Sequence, residues 1–169
     1  MPNARPEMSL SEDAANHDSA PGEPRPAMVP ARVLDVVVDL PASNPMVVLA
    51  EEGGAGRWLR FPVGWAEGQA LAYALRNIAS QRPLTHELFL SAMAAFGVSL
   101  EVVRITGRNG KTLLAEVVLS GPGGQRQLDC RPSDAVILAT RASLEVPIVV
   151  SVGLLDELGE PAPGVPGEN

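Results

Sequence analysis

Two short stretches concentrate the residues able to do chemistry. Arg82-Pro83-Leu84-Thr85-His86-Glu87 holds a guanidinium, an imidazole and a carboxylate, and Asp129-Cys130-Arg131-Pro132-Ser133-Asp134 sets a guanidinium between two acids. Glu67, shortly after Gly64, adds another carboxylate. Phosphodiester cleavage needs carboxylates that hold a divalent cation or accept a proton, and a cation that offsets charge developing on the phosphate. Those ingredients are present. In this reading Glu67, Asp129 and Asp134 position water or coordinate Mg²⁺ or Mn²⁺, with Asp129 and Asp134 as the metal pair. His86 exchanges a proton, and Arg82 and Arg131 contact phosphate. Plain structural roles compete: Thr85, Ser133 and Asp134 suit helix starts, and Arg131 can simply pair with a neighbouring acid. Cys130 reads as a small buried hydrophobe, since no second Cys or adjacent His accompanies it. Phosphate-loop, dinucleotide-fold, zinc-protease and nucleophile-elbow signatures are absent from the chain.

The elements that must carry these residues follow from pattern. Val33 to Leu40, Met46 to Ala50 and Trp58 to Val63 are strand-like runs separated by breakers. From Trp65 the period changes, and Ala70, Leu71, Ala74, Leu75 and Ile78 mark an amphipathic helix that Arg82-Pro83 stops. A second helix is predicted with Thr85 as its cap, Gly97 as its exit and Phe89, Ala92, Met93 and Phe96 as its buried stripe. Val98 to Thr106, Thr112 to Ser120 and Gln125 to Cys130 form an antiparallel meander, its first turn made by Asn109-Gly110. Pro132 opens a third helix, where a missing N–H costs nothing. Pro147 to Val152 is a final strand, and Gly153 to Leu158 a last helical turn. Alternation turns Asp129 and Arg131 to one face and Leu128 and Cys130 to the other. Blocks of strands and helices in this order indicate an α+β fold: a mixed, largely antiparallel sheet of about six or seven strands with three main helices in a single domain.

Composition bounds the rest. The 169 residues are 46% hydrophobic and 4% aromatic, enough for one ordinary core. Residues 1–31, rich in Pro and acids, read as a disordered arm, and 159–169 as a disordered tail, leaving 32–158 as the folded domain. The net charge of −7 belongs to residues 1–31 (−3) and 156–169 (−4), since 32–155 holds 11 bases and 11 acids. A neutral centre neither advertises nor forbids nucleic acid, because phosphate binding depends on a local patch. Six aromatic residues, several on core stripes, argue against a base-stacking sheet. A single cysteine fits a reducing compartment, and no apolar run approaches a membrane span, so a cytoplasmic protein is expected with no membrane partner.

Phe61-Pro-Val-Gly64-Trp-Ala-Glu67, Arg82-Pro-Leu-Thr-His-Glu-Leu88 and, above all, Asp129-Cys-Arg-Pro-Ser-Asp-Ala135 followed by Pro147-Ile-Val-Val150 resemble the bifunctional nuclease domain family. The likeness runs in order from about Val33 to Leu158. It implies an α+β domain, self-association as a dimer, and activity on both RNA and DNA. It also places Glu67, Arg82, Thr85, His86, Glu87, Asp129, Arg131, Ser133 and Asp134 at the family's polar motif positions, with Ser133 joining Arg82 and Arg131 in substrate binding. Two departures stand out: Glu116 where the family usually has a base, and Gly68 where it usually has Ala. The rival reading is a non-catalytic binding or assembly module that keeps the fold and uses the 129–134 corner for folding or dimer contacts.

Overall fold

Seven strands hydrogen-bond into one mixed sheet in a computed structural model that describes residues 26–38, 44–142 and 145–162. In chain order the elements are β1 (Met28–Val37), β2 (Met46–Glu51), β3 (Trp58–Pro62), α1 (Trp65–Leu75), α2 (Thr85–Ala95), β4 (Ser99–Asn109), β5 (Thr112–Gly121), β6 (Gly124–Cys130), α3 (Pro132–Arg141), β7 (Ile148–Ser151) and α4 (Val152–Leu158). The sheet order is β3-β2-β1-β7-β4-β5-β6. Two meanders, β1-β2-β3 and β4-β5-β6, are joined by β7, which runs antiparallel to β1 and parallel to β4. The fold is therefore the expected α+β domain, with the last helical turn closing as a short fourth helix.

The domain begins earlier than 32. Met28 to Ala31 pair with Ser151 to Ile148, so residues assigned to the arm form the joint between the two meanders. Pro30, counted with the proline-rich arm, does not interrupt the pairing: its carbonyl accepts a 2.8 Å bond from the Glu52 N–H, and proline forfeits only its donor. At the other end Glu160 and Trp58 exchange both backbone bonds at 2.8 Å, tying the start of the expected tail to the β3 edge. The rest of the arm (1–25) and tail (163–169) lies outside the described residues.

The core sits between the sheet and α3. Ala135 to Ala139 are all buried, because α3 is covered by α1 and α2 on one side and by β4 and β5 on the other. Val103, Ile105, Ala115 and Val117 project from those strands into the same layer. Burying one such aliphatic side chain contributes about 1.5–3 kcal/mol. α1 approaches closely enough that a Cβ on Gly68 would lie 2.8 Å from Cβ and Cγ of Pro45. Glycine at position 68 thus answers a neighbouring proline ring.

Several local expectations shift. The first meander turn centres on Gly110-Lys111, since Asn109 pairs with Thr112; only Gly110 takes a positive φ (60°), as a type II′ turn requires. α1 ends at Leu75 because Asn77 turns left-handed (φ 51°), which leaves Ile78 exposed. Leu84, not Thr85, is the cap of α2, and Glu87 reaches back to accept its N–H at 2.8 Å. The expected buried stripe of α2 is the largest correction: Met93 is buried, but Phe89 is 44% and Phe96 79% exposed. α2 packs chiefly on α3, so only one edge of its apolar surface is covered. Gly97 (φ 68°) makes the exit that was read from the sequence.

Candidate functional site

The first turns of α1, α2 and α3 converge. β6 ends at Cys130, Arg131 takes extended backbone (φ −73°, ψ 142°) as the cap of α3, and Pro132 starts the helix. Three residues on, Asp134 comes back beneath the cap side chain. Arg131 grips it with two parallel bonds, Nε to Oδ2 at 2.8 Å and Nη2 to Oδ1 at 3.0 Å. The third guanidinium nitrogen, Nη1, lies 3.1 Å from Oε1 of Glu67 in the first turn of α1. Glu67 folds back over its own helix start: a Cβ on Gly64 would stand 2.4 Å from its Oε2, so the glycine makes room for this pose. From the first turn of α2, His86 Nε2 sits 3.1 Å from Asp134 Oδ1.

Arg131 is thus the hub of a four-residue cluster, and its side chain remains 67% exposed while Glu67, His86 and Asp134 are mostly covered. Glu67, His86 and Asp134 all stand in first helical turns, where the partial positive charge of a helix start favours the two carboxylates. Burial pushes the Asp134 carboxyl upward, but bonds from Arg131 and His86 outweigh it and hold the group below its ordinary value. The Asp134 bonds in turn raise the Arg131 guanidinium. An ionised Asp134 must accept a proton-bearing Nε2, which leaves Nδ1 of His86 as the ring's basic nitrogen.

The cluster opens into a groove of about 640 Å³, bounded by α1, α2, β6 and α3. Glu67, His86, Asp129, Arg131 and Asp134 all border it; Arg82 and Ser133 do not. Arg82 is exposed on the α1–α2 connection, and Ser133 is buried in the first turn of α3. Asp129 borders the groove but stands apart from the cluster. Its cross-strand partner is Glu116, whereas Leu128 pairs with Val117 and Cys130 with Ala115, both of which face the core. Directly opposed residues share a face, so Asp129 lies on the far one. Glu116 is itself engaged by Arg104 at 3.0 Å and by Gln127. Glu87 is equally committed: it takes the Leu84 N–H, the Ser80 hydroxyl and an ion pair with Arg141 at 2.5 Å.

The expected metal pair is not brought together: Asp129 lies on the far face of β6, whereas Asp134 is held by Arg131 and His86. Among the described residues no three His, Cys, Asp or Glu side chains converge as ligands. The positive charge that Glu67 and Asp134 share is supplied by the Arg131 guanidinium. Burial first, then the nearby acids Asp134, Asp129 and Glu116, push the thiol of the half-buried Cys130 up to about 12, which disfavours the thiolate. The residues missed in the sequence are those of the groove itself, Gln69, Tyr73, Leu84 and Phe89 among them. Their spacing on α1 and α2 resembles core packing, and only the exposure of Phe89 separates the two.

Among the described residues no helix is long and apolar enough to cross a membrane. Comparison with known proteins agrees with the motif evidence. The profile of the bifunctional nuclease domain matches residues 47–162. An uncharacterized protein of Mycobacterium tuberculosis is 34% identical over 128 residues, covering 76% of this chain and 74% of that one. Bifunctional nuclease 1 of Arabidopsis thaliana is 28% identical over 110 residues, and bifunctional nuclease 2 of the same plant 31% over 113. These plant relatives are much longer, and the match covers 34% of each.

Proposed function

Because this chain belongs to the bifunctional nuclease domain family, we propose that it hydrolyses phosphodiester bonds of RNA and DNA where α1, α2 and α3 meet. The observation that carries the reading is the gathering of Glu67, His86 and Asp134 around one exposed arginine. Of the five N–H donors of Arg131, three are taken by carboxylates, leaving two for a phosphate oxygen. His86 Nδ1 takes a proton from the attacking water as the new P–O bond forms. The imidazolium, stabilised by Asp134, returns that proton to the departing sugar oxygen as the old bond breaks. General acid–base catalysis of this kind supplies about 10²–10⁴ in rate. Glu67 holds the water and keeps Arg131 in place. Arg82 and Ser133 have no part in this scheme, nor does a divalent cation.

The test is cleavage of labelled single-stranded RNA and DNA by the purified full chain, in EDTA and in added Mg²⁺ or Mn²⁺. Cleavage that persists in EDTA within about twofold is expected, since Arg131 carries the charge. Intact substrate under every condition removes the proposal, and strictly metal-dependent cleavage removes the role given to Arg131. Self-association as a dimer is assigned to the outer face of α2, where Leu88 (60%) and Phe96 (79%) are exposed. Light scattering of a Phe96→Glu variant that remains as dimeric as the parent would exclude that face.

A further inference from the structure

The groove beside the cluster carries side chains that phosphate chemistry does not need. α1 contributes Ala70 and Tyr73, the start of α2 Leu84 and Phe89, and β6 Leu128. Phe89 and Leu128 are each 44% exposed, so apolar surface is held open to water in a concave site next to ionised groups. A hollow of about 640 Å³ with apolar walls and a polar mouth has the size and character of a small-ligand site rather than of a flat association face. Polar atoms along the walls are sparse; Gln69 Nε2 donates to the Tyr73 hydroxyl at 3.2 Å.

The site therefore suits a ligand that combines a neutral, largely apolar body with an anionic group placed at Arg131. A nucleobase with its adjoining phosphate meets both demands: the two Arg131 N–H donors not taken by Glu67 and Asp134 can bond the phosphate, and the uncharged walls can take the ring. A paired base cannot enter, because its faces are stacked and its edge is occupied. Resting on the reading of the cluster as a phosphodiester site, we propose that the groove takes one unpaired nucleobase of a single strand, stacked against Phe89 and Tyr73. The walls offer few groups to read a base edge, so preference among bases is weak and preference for single strands strong.

The test uses the full chain and an oligonucleotide carrying one 2-aminopurine, followed by fluorescence and anisotropy, with its duplex and an abasic counterpart as controls. Binding of the single strand with a change in 2-aminopurine emission is expected. Phe89→Ala should weaken it about five- to 150-fold, the range for loss of one stacked base, and Phe89→Trp should preserve it. Phe89 is partly exposed, so its truncation spares the core; matching melting curves check this. Cleavage is measured separately. Emission change without cleavage supports the groove and overturns the nuclease reading. Cleavage that is equal on duplex, abasic and single strands overturns the groove and leaves the nuclease reading standing. A Phe89→Ala variant altered only in oligomeric state, with unchanged oligonucleotide binding, also overturns the groove as a base site and assigns it to a second copy of the chain.

Discussion

Replacing Asp134 by Asn separates catalysis from architecture at this corner. The change keeps the side chain's shape but removes the charge that holds Arg131 and orients His86. Arg131 is 67% exposed, so its pairing with Asp134 contributes only about 0.2–1 kcal/mol to stability. For a folded part of this size that corresponds to a melting point lower by a few degrees, at about 4 °C per kcal/mol. Catalysis should suffer far more: without a carboxylate the imidazolium formed during proton transfer loses its partner, and single-turnover cleavage should fall by about 10²–10⁴. The pH dependence carries a definite sign. The Asp134 carboxyl lies below its ordinary 3.8, so its contribution to stability is complete above that value and disappears as pH falls through the folded-state value. The melting-point gap between parent and variant should therefore be open at pH 7 and close below pH 3.8. Parental cleavage by Asp134→Asn would refute the reasoning. So would a stability loss of several kcal/mol that accounts for the lost activity, which would make the corner a folding device.

Three further outcomes follow from the same geometry. Gly68→Ala should destabilise the domain by about 1–3 kcal/mol in denaturant unfolding despite alanine's better helix propensity, because the new methyl meets the Pro45 ring at 2.8 Å; a stabilised variant would show the helix–proline contact to be loose. Cys130, with its thiol near 12, should hold about a thousandfold less thiolate at pH 8 than an ordinary cysteine and alkylate correspondingly slowly; labelling of the native protein at the rate of a free thiol would contradict this. The Leu84 N–H, then Ser80 and Arg141, hold the Glu87 carboxyl below its ordinary 4.5 against the opposing effect of burial. Glu87→Gln should therefore lower the melting point at neutral pH, with the difference fading in acid below that value; a constant difference would mean that charge plays no part.

Local chemistry was legible in the sequence and long-range assembly was not. Pro132 at the first position of α3, Gly97 as an exit and the β4-β5-β6 meander follow from short-range rules, and each stands where it was read. The Asn109-Gly110 turn slipped by one residue because the cross-strand register of Asn109 with Thr112, not the dipeptide alone, sets its centre. The stripe of α2 was visible as a period, but a period cannot say what covers it; Phe89 and Phe96 lie beyond the reach of α3. Alternation correctly separated Asp129 from Leu128 and Cys130, yet grouped it with Arg131, which the helix corner swings toward Glu67 and Asp134. No spacing rule could bring Glu67, His86 and Asp134 together, because their meeting depends on how α1 and α2 pack against α3.

Single-turnover cleavage of a labelled single strand by the parent and by His86→Ala, at matched stability, tests the cluster most directly. The parent should cut, and the variant should be at least about a hundredfold slower while melting within a few degrees of it. A His86→Ala protein that cuts as fast as the parent would show that the four side chains around Arg131 are not where the bond is broken.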